Sequence, residues 1–540
     1  MANSWLERVV VCLCVGLLGA CIPKVDDLSG GEPPPTPPTP GSSLPEVGDY
    51  AAVPLAECKM RPAGSSSAEC GSLESFDLSG CDANSLLGLE TAGAFNVRLH
   101  RSDIEQNDWA TLMRAGKFSV DRGAGAPHPM FNRTTRTSAD GRVTVTSQVG
   151  CSAKGTDRVT GCEVSCVNGA VTRMFTFEAA RIRRRAGESE SGGGMTLVGE
   201  AATGTGAATE LFITKDHAYV VSIDDSAHGD GGLYVFDIRD RKAPRLVATR
   251  RHESENYWNG VWAKDDALYV ASGDRGVLVF DISEPANPRF LRDLSNGSRQ
   301  NVHTVQVAGS RLYATLVDPT TETLIYDVKN AREPVLLGRH QDASAGELKS
   351  FPHETTVFED KLYVNHWRAG LLVLDPTDPA NVKQVGAYKY PGASSHFARV
   401  GRINGNLTAF EGGEGWGAHL RVLDLSDAKS PRLIGEYKLS PEVSIHNMEL
   451  VGGRLYVAHY QHGVRVLDVS GPAKPQEFAY FNTWRETDRH RGTSSWEGAI
   501  GIRVPGDGYV YVVDTSRGLL ILSDPEPPKG PEIPEEPGEL

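Results

Sequence analysis

Ten residues ahead of a recurrent strand tyrosine stands a histidine: His303 before Tyr313, His353 before Tyr363 and His446 before Tyr456. His396 takes the same place once a turn two residues longer is allowed. Imidazole binds zinc, copper, iron and nickel, and several convergent histidines without cysteine point to an open transition-metal site (Zn, Cu or Fe) rather than a closed structural zinc. Hairpin arithmetic adds partners. Tight turns at Glu359-Asp360 and Gly452-Gly453 place His366 opposite His353 and His459 opposite His446, at the Cβ spacing of about 4.5–5.5 Å of directly paired residues. The competing reading is a partly wet plug in which these imidazoles hydrogen-bond neighbouring repeats.

Tryptophans fall on loops of the same predicted face, namely Trp258, Trp367, Trp416 and Trp496, with Trp484 nearby. Exposed tryptophan clusters mark recognition surfaces, so a protein or glycan partner is expected there. Asp224, Asp225 and Asp230 form an acidic loop able to approach calcium, without EF-hand spacing. No nucleophile elbow, phosphate loop, HExxH or dinucleotide fingerprint occurs, which counts against the standard enzyme classes. Two functions stay open: a non-enzymatic binding scaffold, or a metal-dependent oxidoreductase or hydrolase using the histidines.

The elements that must position these residues are repeats. A strand ending in Asp and followed by a corner recurs at Leu233–Asp237, Val277–Asp281, Thr323–Asp327, Leu371–Asp375, Leu420–Asp424 and Val464–Asp468, with a last copy, Leu519–Ser523, ending in Ser. The copies are 44 to 55 residues apart, the length of one four-stranded propeller blade at about 40–50 residues. Each Asp bonds its own corner amides and is structural. Leu-Tyr-Val at 268–270, 362–364 and 455–457 marks the second strand of each unit. These units resemble the LVIVD-repeat family of bacterial envelope β-propellers over residues 195–524, and the resemblance implies fold more than activity. The last unit lacks its fourth strand, and Met195–Ala201 reads like one. The expected architecture is therefore all-β: a seven-bladed β-propeller closed by an N-terminal strand and preceded by a small, disulfide-containing, mostly-β module.

Ahead of the repeats, residues 1–20 read as a signal peptide whose apolar run, Val9 to Gly19, is too short to span a bilayer. Leu18-Gly19-Ala20-Cys21 resembles a lipobox, which implies lipidation at Cys21, a membrane partner through that anchor, and an outer-membrane address. Residues 21–48 continue as a Pro-rich linker. Cys58, Cys70, Cys81, Cys151, Cys162 and Cys166 all lie within 49–190 and read as disulfides, with their pairing open. Ser189 to Gly194 reads as a hinge, and 525–540 as a disordered Pro/Glu-rich tail. A net charge of −14 without a basic stripe excludes nucleic acid as a partner.

Overall fold

The computed structural model describes residues 44–46, 48, 49, 54–61, 69–101, 111–123, 126–488, 491, 492 and 494–525. The expected signal peptide, Cys21, most of the expected Pro-rich linker and the tail from 526 lie outside the described residues. The repeats form seven antiparallel sheets of consecutive strands, written A to D from the inside outward. Sheet one runs Ala207–Thr214, His217–Ile223, Gly232–Asp237 and Arg245–Arg250. The A strands of sheets two to seven are Trp258–Lys264, Asn301–Ala308, Glu354–Phe358, Ser395–Ile403, Met448–Val451 and Ala499–Arg503. Each A strand touches the next, and the first touches the last, so the sheets close into a β-propeller.

Why these sequences form sheets packed on both faces follows from their apolar content. B and C strands such as Ala267–Ser272 and Gly276–Asp281 are buried along their whole length, as expected for a strand with a neighbouring sheet on either side. The recurrent tyrosine staples one sheet to the next: Tyr219 donates to the Pro285 carbonyl at 2.9 Å and Tyr269 to the Ala331 carbonyl at 2.6 Å. The recurrent aspartate does what a corner requires. Asp281, Asp424 and Asp468 each accept a backbone N–H from two residues on, at 2.9 Å.

The ring closes as its sequence implied. Leu197–Ala201 pairs antiparallel with Gly518–Ser523 and supplies the D strand of sheet seven. Gly199 permits a close approach there, since a Cβ would stand 2.3 Å from the Arg241 carbonyl oxygen of sheet one.

The cysteine-bearing module is a six-stranded sheet in the order Thr111–Gly116, Phe95–Arg101, Ala170–Arg181, Arg158–Val167, Val143–Lys154, Phe131–Thr137. Disulfides Cys58–Cys162, Cys70–Cys166 and Cys81–Cys151 tie the segment before it to two central strands. The module packs on the propeller. Asn96 Nδ2 donates to the Glu442 carbonyl at 2.7 Å, Arg158 pairs with the Glu442 carboxylate at 2.7 Å, and Ala94 and Ile182 join the apolar cluster of Val443, Tyr460 and Trp484.

Two segments expected to be loose are bound. Ser191–Gly192, within the expected hinge, pairs with the D strand Gln476–Phe481 of sheet six, and Glu188 reaches buried Arg465 at 2.7 Å. At the end of the linker, Leu44 N–H donates to the Leu433 carbonyl at 2.9 Å, while Glu46 and Asp49 bond fully buried Arg421 at 2.9 and 2.8 Å. A buried guanidinium demands such partners, which is why the chain docks here instead of continuing as a linker.

Deleting Met195–Ala201 leaves an open edge on sheet seven and is expected to lower the unfolding temperature by about 10 °C. Gly199→Val acts in the same direction at about 2 kcal/mol. Thermal unfolding followed by circular dichroism checks both, and an unchanged transition in the deletion contradicts the closure.

Candidate metal centre at the channel mouth

The A strands begin irregularly, and this irregularity builds the site. Pairing between A and B slips at Ala208/Glu210, Trp258/Gly260, Val302/Val305, Ser395/Phe397 and Ala499/Gly501. Thr209, Asn259, His303 with Thr304, His396 and Ile500 are the residues these bulges leave out of the ladder. A bulged residue is freed to aim its side chain, and here it aims at the axis. His353 and His446 arrive there by another route: each sits just before its A strand, holding the partner strand by its own N–H, to the Asn365 carbonyl at 2.7 Å and the Ala458 carbonyl at 2.8 Å.

The four histidines form one contiguous row. Ring centroids are 4.2 Å apart for His303 and His353, 3.9 Å for His353 and His396, and 4.2 Å for His396 and His446. Burial pushes His303 down to about 4 and His446 down to about 3. Burial and then neighbouring imidazoles hold His353 and His396 well below the usual histidine range. All four are therefore neutral near pH 7, and the Asn259 amide lies 3.2 Å from Nε2 of His303. His446 Nδ1–H donates to the Ile500 carbonyl at 2.7 Å, which leaves Nε2 bare. Nδ1 of His353 and of His396 is buried without a hydrogen-bond partner. Trp367 stacks on His353 at 5.4 Å and on Phe351 at 5.2 Å, locking the first ring in place.

Glu414 completes the group. Its Oε2 lies 3.8 Å from His396 Nε2, and one ligand atom from each of His353, His396 and Glu414 lies within 4.8 Å of the other two. Tyr460 O–H donates to Oε1 of Glu414, and burial raises this carboxyl group. The row lines a cavity of about 360 Å³ reaching from Tyr257 and Trp496 at the mouth to Arg399 and Arg503 inside. Deeper, Glu449 joins Arg399 at 3.0 Å and Arg503 at 2.9 Å, and burial pushes Glu354 up to about 7. The other close cysteine and carboxylate grouping among the described residues, Cys58, Cys81 and Cys151, is spent on disulfides.

Several expected site residues stand elsewhere. His366 is not in the row: its ring meets Ser350 Oγ at 2.9 Å. The A strand pairs from Glu354 onward, opposite Asn365, so cross-strand facing does not extend to His353 and His366. His459 is likewise displaced and faces His462 at 5.3 Å, beyond the ladder that ends at Ala458.

The tryptophan surface also needs correction. Trp258 is 1% exposed, wedged between sheets one and two, and Trp416 is 3% exposed beneath the Arg98 guanidinium of the module. Trp484 is buried, Trp367 stacks against His353, and Trp496 lines the cavity. The acidic loop closes on itself: Asp224 accepts the Gly231 N–H at 2.6 Å and Asp225 binds His228 Nδ1 at 2.8 Å. Glu414 was missed because it lies on a B-to-C loop outside the repeated column, where only its charge at a strand end marks it.

The LVIVD repeat family matches the chain at residues 257–293 and 446–483. No curated protein matches the sequence. Among solved structures the chain is similar to the WD40 β-propeller domain of Doa1, at 11% identity and a TM-score of 0.44, covering 61% of this chain and 97% of that one. It is also similar to the β-propeller domain of Myceliophteria thermophila Cps50 (Swd1), at 13% identity and a TM-score of 0.42, covering 61% and 99%.

Burial pushes His366 down to about 4. Its unfolded value is near 6.5, so its contribution to stability is complete above about pH 6.5 and is lost as pH falls toward 4, by roughly 3 kcal/mol. Urea unfolding at pH 7 and pH 4.5 is expected to show a smaller acid loss in His366→Gln than in the parent. An equal loss in both refutes the assignment.

Proposed function

Because the chain is an LVIVD-repeat β-propeller protein with neutral imidazoles converging on its axis, we propose that it is an exported envelope protein, lipid-anchored through Cys21, that binds one transition-metal ion between His353, His396 and Glu414. The carrying observation is the approach of those three ligand atoms within 4.8 Å. Nitrogen and carboxylate donors without thiolate suit zinc, copper or iron, and three protein ligands leave a coordination position open toward the cavity. His303 and His446 flank the triad as further donors or hydrogen-bond partners. An ion there would act as a Lewis acid on a small molecule entering past Tyr257, the chemistry of a hydrolase or oxidoreductase.

A scaffold for a protein or glycan partner is the weaker reading. Of the tryptophans that suggested it, Trp258, Trp416 and Trp484 are buried. Its remaining support is the mouth, where Tyr257 is 37% exposed.

Elemental analysis of the purified full chain is expected to find about one bound ion. His353→Ala, His396→Ala and Glu414→Gln should each weaken it by roughly 100-fold or more, since losing even a partner that only orients a ligand costs about 10–100-fold. His366→Ala and His459→Ala should retain it. A parent chain that carries no stoichiometric metal, or equal loss from the His366 variant, sinks the proposal.

A further inference from the structure

The D strands share one register, so their equivalent positions can be compared around the ring. The residue opposite the penultimate C-strand position is Leu246 in sheet one, Phe290 in sheet two, Leu336 in sheet three, Gln384 in sheet four, Leu433 in sheet five and Glu477 in sheet six. Leu433 is covered by Leu44, and Glu477 is paired with Arg185. The first three are apolar and uncovered, at 45%, 47% and 39% exposure.

Each of these strands then bulges, pushing out one more residue: Val247, Leu291 and Leu337, exposed by 39%, 38% and 37%. Val335, at 61%, extends the third. Three neighbouring sheets thus present paired apolar side chains on one flank, where single scattered ones would need no account.

Charge on that flank decides what it fits. Arg245, Arg289 and Arg339 stand beside the apolar pairs with 70%, 64% and 50% of their side chains exposed, although each also reaches an acidic neighbour. Sheets four and six carry Gln384 and Glu477 in place of the apolar residue, while Lys383 and Arg432 of sheets four and five match Arg245 and Arg289, so it is the uncovered apolar pairs beside basic side chains that set the first three sheets apart. A basic, apolar flank on a chain of net charge −14 is complementary to an anionic lipid surface: arginines meet headgroups while leucine, valine and phenylalanine enter the acyl boundary.

We infer that the outer strands of sheets one, two and three rest on an anionic membrane. The contact is separate from the lipid anchor and from the metal centre.

The test uses the full chain with an environment-sensitive fluorophore on a cysteine at Leu336→Cys or, as the equivalent position in sheet four, at Gln384→Cys. Flotation is run with phosphatidylcholine vesicles with and without added phosphatidylglycerol. The expected result is a blue shift and quenching by brominated acyl chains at position 336, in phosphatidylglycerol vesicles only, and neither at position 384. Combining Arg245→Gln, Arg289→Gln and Arg339→Gln should weaken phosphatidylglycerol-dependent flotation about tenfold or more. Equal signals at both positions, no dependence on phosphatidylglycerol, or no flotation overturns the inference. So does a shift at 336 that follows protein concentration without lipid, which would assign the flank to a second copy of the chain.

Discussion

Everything at the channel depends on the residues that each inner strand leaves out of its ladder. A regular strand alternates its side chains between the two neighbouring sheets and offers few of them to an axis. In sheets three and five a bulge at the mouth breaks that alternation and turns His303 and His396 inward, whereas in sheets four and six the residue just ahead of the inner strand, His353 or His446, takes that place. Because the ring is closed by Leu197–Ala201, the inward residues of adjacent sheets cannot spread apart, and His303, His353, His396 and His446 are held at near van der Waals spacing. Neutrality follows from that confinement: four imidazoles so close and so buried cannot be charged together.

The same confinement makes the centre costly for the fold and useful to an ion. Two buried ring nitrogens without partners are a debt in a sheet protein, normally settled by water or a neighbouring polar group. Around the row, other contacts fix geometry without satisfying those atoms. Trp367 stacks on His353, Tyr460 orients Glu414 and the Ile500 carbonyl sets the His446 tautomer. Such an arrangement fixes ligands in place before anything arrives.

What the sequence disclosed follows the range of the interactions involved. The strand tyrosines and corner aspartates act within a sheet or between adjacent ones and recur with the repeat, so the propeller and its closing strand were legible from spacing alone. The histidine row was legible for the same reason. His366 and His459 were misplaced because hairpin geometry was extended past the last inner-strand pairs, Glu354 with Asn365 and Met448 with Val457. Glu414 lies in no repeated column. The fate of Trp416 is set by Arg98, more than three hundred residues earlier in the chain, and no local pattern announces a contact of that range. Disulfide pairing was hidden for a similar reason, since each bridge joins residues 70 to 104 positions apart.

The two docked segments on either side of the module bear on how it is held. Leu44, Glu46 and Asp49 are fastened to sheet five before the module begins, and Glu188 to Gly192 are fastened to sheet six after it ends. A body pinned at both of its ends cannot pivot away like a door on one hinge. The module is therefore held against the propeller at Trp416, Glu442 and Val443 as a fixed body.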